Sequence, residues 1–155
     1  MDTPRSPLYE QEVMELEEEG SPFELLEARK AVEIEIADLA AKKATLEDID
    51  AMSESLNEMK GAVSNISKMM ELDREFHMNI ARAAHNNLLF SMMTYLSNLL
   101  KEKLWVNMKE KIWNLPGYPQ KYLKEHTEIF NAIKNKDSKN ARKQVYHHLA
   151  GVEKD

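Results

Sequence analysis

The sequence has no cysteine, only four glycines and only five prolines in 155 residues. Without cysteine there is no disulfide framework, no thiolate metal site and no cysteine nucleophile, and nothing points to an oxidising compartment. The expected location is cytoplasmic, and any bound metal must be held by nitrogen and oxygen. No stretch reaches the ~18 uninterrupted apolar residues of a membrane span. The opening Met1-Asp2-Thr3-Pro4-Arg5-Ser6-Pro7 lacks the apolar core of a signal peptide, so no membrane partner is expected. Basic clusters are missing too. With a net charge of −6, the chain is not expected to bind nucleic acid unaided, because a phosphate backbone calls for a clustered basic footprint.

The prolines stand at 4, 7, 22, 116 and 119, which leaves residues 23–115 free of them. Apolar residues recur there at spacings of three and four, and period-two alternation is absent. The pattern predicts an all-α fold, an antiparallel bundle of about six helices. Residues 1–21 read as an acidic lead-in or linker and 22–152 as the domain. Ser21-Pro22 with Glu24 predicts a capped helix from about Pro22 to Lys43. Thr45 with Asp48 caps a second helix that fades near Gly61. A third runs from about Ser64 to His85, and a long fourth from Asn86 to Trp113. After the Leu115–Pro119 loop, a fifth covers Gln120–Asn135 and a sixth runs from Asp137-Ser138 to about Gly151.

The third helix carries its apolar stripe on Met69, Leu72, Phe76, Ile80 and Ala84, and Asp73 and His77 lie inside that stripe, four apart and one turn from each other. His126 falls within the Leu123, Phe130, Ile133 stripe of the fifth helix. In the last helix Ala141, Val145, Leu149 and Val152 set a face that takes in His148 and leaves out His147. Four ionisable groups on the inner faces of one small bundle need partners. One carboxylate oxygen and three imidazole nitrogens suit a divalent Zn²⁺, Ni²⁺, Mn²⁺ or Co²⁺ ion and leave open positions for water or a ligand carboxylate. The alternatives are separately hydrogen-bonded core histidines and a buried Asp73–His77 ion pair.

Several segments in order resemble the C-terminal effector-binding domain (FCD) of FadR-type regulators in the GntR superfamily. These are Phe23-Glu24-Leu25-Leu26-Glu27-Ala28-Arg29-Lys30-Ala31-Val32-Glu33, Leu72-Asp73-Arg74-Glu75-Phe76-His77, Ala83-Ala84-His85-Asn86-Asn87-Leu88-Leu89, Glu125-His126-Thr127-Glu128-Ile129 and His148-Leu149. The opening segment, His85-Asn86 and Leu104-Trp105 are most similar to hexuronate-responsive members. The resemblance implies a bundle around a ligand cavity, with an Asp and three His holding a metal. Those ligands correspond to Asp73, His77, His126 and His148. It also implies that Arg29 lies near the cavity and pairs with an effector carboxylate. Family members begin with a winged helix-turn-helix DNA-binding domain, which is expected to be absent from this chain.

Arg29 by pattern alone reads as a surface residue paired with Glu33, and the resemblance moves it to the pocket. Asn86 is an effector-contact candidate whose simpler role is a helix N-cap, and Trp105 has a similar choice between cavity and core. Lys101, Lys103, Lys109 and Lys111 read as a solvated face, and Trp113 as core or dimer surface. The expected function is effector sensing and dimerisation in a transcription regulator, not catalysis. A small carboxylate, such as a hexuronate or related sugar acid, would bind at a buried divalent metal, Zn²⁺ first, with Ni²⁺ or Mn²⁺ next. The expected partners are the effector, a second copy in a homodimer, and DNA through the absent domain. A mononuclear metalloenzyme and a purely structural dimerisation module are the alternatives.

Overall fold

The computed structural model describes residues 22–99 and 103–154, and they form seven α-helices with no strand among them. The helices are α1 (Pro22–Lys43), α2 (Leu46–Gly61), α3 (Ile66–Ala83), α4 (Asn87–Leu99), α5 (Lys103–Trp113), α6 (Tyr118–Lys134) and α7 (Ser138–Lys154). Among the described residues, no helix is long and apolar enough to cross a membrane.

Local chemistry sets most of the boundaries. Thr45 and Asp48 form the expected reciprocal cap on α2: Asp48 N–H donates to Thr45 Oγ1 at 3.2 Å and Thr45 N–H to Asp48 Oδ2 at 2.8 Å. Asn65, one residue later than the expected start, caps α3 by accepting from Lys68 N–H. Asp137 accepts from Asn140 N–H at the start of α7. Gly117, at φ 78°, adopts the left-handed backbone that turns the chain into α6. Ser21, the expected cap of α1, lies outside the described residues, as does the whole 1–21 lead-in.

The stretch expected as one helix from Asn86 to Trp113 is described as α4 and α5, with residues 100–102 between them outside the described set. The two described stretches meet different neighbours. α4 packs against α3 and α1, and α5 against α3 and α6. One expectation is corrected, at the end of the last helix: Gly151 does not end it, and the helix continues to Lys154. A lone glycine weakens a helix by only about 1 kcal/mol relative to alanine, and α7 lies along both α1 and α6.

The core is continuous and runs through Ile36, Met52, Met69, Leu72, Phe76, Ile129, Ile133, Ala141 and Leu149. All five stripe positions of α3 are buried. On α6 the buried line is Tyr122, His126, Ile129 and Ile133, while Leu123 and Phe130 are half-buried against it. The long α1 packs along α7 and also meets α3, α4 and α6. It thereby closes one side of the space into which α3, α6 and α7 project their polar residues.

Candidate metal and effector centre

Asp73, His77, His126 and His148 are all buried, at 1%, 5%, 0% and 1% exposure. Three helices supply them: α3 gives Asp73 and His77 one turn apart, α6 gives His126, and α7 gives His148. Each offers one ligand atom, and the four atoms lie within 4.8 Å of one another. The adjacent His147 is exposed, as its position off the apolar face of α7 predicts.

The contacts within the cluster are crowded. Asp73 Oδ1 is 2.7 Å from His126 Nε2 and 3.3 Å from His77 Nε2, and these two nitrogens are themselves 3.3 Å apart. The rings of His77 and His148 stack at 5.6 Å, and the rings of His126 and His148 meet edge to face at 4.6 Å.

The outer hydrogen bonds orient all three rings. His77 Nδ1–H donates to Glu33 Oε1 at 2.6 Å. His126 Nδ1–H donates to the Tyr122 carbonyl oxygen at 2.6 Å, and His148 Nδ1–H to Glu125 Oε1 at 3.2 Å. Carbonyl and carboxylate oxygens only accept here, so each Nδ1 must carry the proton and each Nε2 is the nitrogen left for a ligand role. An acceptor behind every imidazole is the usual support of histidine metal ligands. Ligands about 2.0–2.2 Å from an ion lie up to about 4 Å from one another, so closing this set on an ion takes an adjustment of less than about 1 Å. The N₃O donor set fits a borderline divalent cation.

Two buried residues tie the set to α1. Arg29 and Glu33, 2% and 5% exposed, form an ion pair with Nε 2.8 Å from Oε2. Burial alone would raise the Glu33 pKa, but Arg29 and then His77 outweigh it and hold it at about 2. Burial works against the charged form of His77 as well, yet Glu33 and then Asp73 raise it to about 9. Burial also opposes ionisation of Asp73, but Lys109, His77 and His126 keep it well below the usual carboxylate range. Burial, reinforced by His126 and His77, pushes His148 well below the ordinary imidazole value.

Lys109 is where the reading of a solvated lysine face fails. It is 6% exposed, and its ammonium donates to Asp73 Oδ2 at 3.0 Å. Burial lowers its pKa against the pull of Asp73. The sequence signal was its place between Val106 and Trp113 on the inward stripe of α5, whereas Lys111 is exposed. Glu33 was likewise visible only as a surface partner of Arg29. The pairing is present, but it is buried.

The other candidates stand apart from this cluster in the described contacts. Asn86 accepts from Leu89 N–H at 3.0 Å and caps α4. The Trp105 side chain lies outside the described ones, although its backbone belongs to α5. His85 is exposed, with φ 49°, and its Nε2 is 2.7 Å from Asp48 Oδ2, which leaves it outside the metal set.

Comparison with known proteins places this geometry in a family. The FCD domain family model matches residues 24–151. A Uxu operon regulator of Haemophilus influenzae is 30% identical over 132 residues, which are 84% of this chain and 49% of that protein. The HTH-type transcriptional regulator LutR of Bacillus subtilis is 32% identical over 130 residues, 84% of this chain and 59% of LutR. The chain therefore spans about half the length of the curated relatives it matches, and these are named as regulators, not enzymes. Among solved structures, Streptococcus agalactiae GntR superposes with a TM-score of 0.69 at 25% identity, covering 84% of this chain and 56% of that one. With the family model matching nearly the whole of the described bundle, the chain belongs to the FCD domain family.

Proposed function

We propose that this chain is the effector-sensing and dimerisation part of a bacterial transcription regulator. In this reading a divalent ion sits on Asp73, His77, His126 and His148, and a small carboxylate joins it there. The observation that carries the reading is the convergence of four buried ligand atoms within 4.8 Å, with an acceptor behind each imidazole. Zn²⁺ is the first expectation for an N₃O site, with Ni²⁺ and Mn²⁺ next.

The charge of the site supports an anionic effector. Arg29 and Lys109 are buried cations, Glu33 and Asp73 buried anions, so a divalent ion with neutral imidazoles leaves an excess of positive charge. A buried charge needs compensation, and a carboxylate supplies it while filling an open coordination position. Arg29 adds positive charge and, through Glu33, fixes the orientation of His77. Asn86 and Trp105 remain candidate contacts for the distal part of the effector. Names such as Uxu operon regulator and Exu regulon transcriptional regulator among the relatives, together with the segment resemblance, make hexuronates and related sugar acids the first class to test. DNA contact would come through a separate winged helix-turn-helix domain, with two copies of the chain joined as a homodimer.

Elemental analysis of protein purified without chelator tests the ion directly. About one divalent ion per chain is expected, with a rise in melting temperature on adding Zn²⁺ to chelated protein. His126→Ala should lose most of the metal. Full metal content in that variant would refute the ligand set.

A further inference from the structure

Two buried residues of α5 keep N–H donors that neither the four ligands nor the hydrogen bonds behind them take up among the described residues. Lys109 has one described partner, Asp73 Oδ2 at 3.0 Å. An ammonium has three N–H donors, so two of them have no partner among the described residues. Trp113 is 1% exposed, and its indole Nε1–H has no acceptor among the described residues. Leaving a buried donor unsatisfied is costly, more so for a charged one. Lys109 and Trp113 stand four apart on one helix, and so on one face.

Both donors border the metal cluster. Lys109 touches the ligand Asp73 directly. The Trp113 ring lies 4.4 Å from that of Tyr122, whose ring is in turn 4.8 Å from His148 and 5.6 Å from His126. Tyr122 is engaged with Tyr118, its ring 4.9 Å away. α5 therefore carries a cation and an indole ring one helical turn apart beside the cluster, each with N–H donors that have no acceptor among the described residues.

We infer that Lys109 and Trp113 read the effector: the ammonium receives its carboxylate beside the ion, and the indole N–H receives a second oxygen of the same molecule. This rests on the reading of the cluster as a metal site that accepts a carboxylate. The two side chains start about 5–6 Å apart at Cβ, so one molecule that meets both donors is an acid with a hydroxyl, ring or carbonyl oxygen several bonds from its carboxylate. Lys109 and Trp113 are thus specificity-determining residues, and acetate satisfies only the first.

The test uses the Zn²⁺-loaded chain, with D-glucuronate and acetate as probes, read by calorimetry and thermal shift alongside zinc content. Lys109→Met should lose both acids by a factor of about 30 or more, with Lys109→Arg restoring part of the affinity. Trp113→Phe keeps an aromatic ring but has no N–H. It should weaken D-glucuronate roughly tenfold, as loss of one hydrogen bond does, and leave acetate unchanged. Wild-type affinity for D-glucuronate in Trp113→Phe would overturn the role of the indole, as would a wild-type chain that takes acetate but not D-glucuronate. Wild-type affinity for both acids in Lys109→Met would overturn the role of the ammonium. Loss of zinc in Lys109→Met would overturn it too, by making Lys109 a support of the ion. A wild-type chain that holds zinc but takes neither acid would refute the carboxylate reading itself, and this inference with it.

Discussion

Replacing Asp73 by asparagine keeps the shape of the side chain and removes one charge from the middle of the site. That carboxylate faces Lys109 Nζ at 3.0 Å, His126 Nε2 at 2.7 Å and His77 Nε2 at 3.3 Å. Lys109 has no other described partner and is 6% exposed, so Asp73→Asn leaves a buried cation uncompensated. Removing one member of a buried pair costs roughly 3–5 kcal/mol. Glu33 stays in place and still offsets part of the positive charge around His77 and Lys109. The expected loss is therefore at the low end, about 3 kcal/mol, or about 6–12 °C in melting temperature for a chain of this size. The assay is thermal unfolding followed by circular dichroism, with chelator present. The double variant Asp73→Asn, Lys109→Met should recover about 2 kcal/mol relative to additivity, because it also removes the stranded charge. A loss below about 1 kcal/mol in the single variant, or strict additivity in the double, would refute the assignment of Lys109 as a buried counter-ion.

The metal-free protein should also show a stability optimum in pH. Glu33 is held at about 2 against an ordinary 4.5, so its contribution is complete above pH 4.5 and is lost as pH falls towards 2. His77 is raised to about 9 from 6.5, so its contribution is complete below pH 6.5 and is lost as pH climbs towards 9. Melting temperatures across pH in chelator should therefore fall away outside roughly pH 4.5–6.5, and a flat profile would contradict the buried Arg29–Glu33–His77 chain. Thr45→Ala removes the cap of α2 at a cost of about 1 kcal/mol. Thermal unfolding should register that loss while elemental analysis finds the metal content unchanged, because Thr45 lies away from the ligand cluster.

The buried Asp/His cluster was legible in the sequence because helical periodicity converts spacing into direction. Asp73 and His77 sit on a stripe whose apolar members are all buried, and the same geometry separates His148 from His147. The hydrogen bonds behind them were harder to see. Arg29 and Glu33 stand in line with Leu25, Leu26, Ile36 and Ala40 on the buried side of α1, but an i, i+4 pair of opposite charges is also what a solvated helix face carries. Lys109 was hidden for the same reason, as one basic residue among several on α5. Its place between Val106 and Trp113 was the one signal in the sequence, and its tertiary partner, Asp73 on a different helix, accounts for the burial.

The arrangement also fixes where a ligand can act. The four clustered side chains draw on α3, α6 and α7, while α1 supplies Glu33 behind His77 and α5 supplies Lys109 behind Asp73. An ion at their centre would therefore link five of the seven described helices. The α1 side of this arrangement is long and packs along α7 and against α3, whereas α5 packs chiefly against α3 and α6. A ligand shifts a conformational equilibrium only through contacts that differ between the two states. The Lys109–Asp73 contact between α5 and α3 would be one of that kind, because a carboxylate taken up on the remaining N–H donors of Lys109 would share with Asp73 the charge of the same ammonium. The Arg29–Glu33–His77 chain points the other way: its carboxylate is held between a guanidinium and an imidazole, so it keeps the ligand set in place while the α5 contact changes.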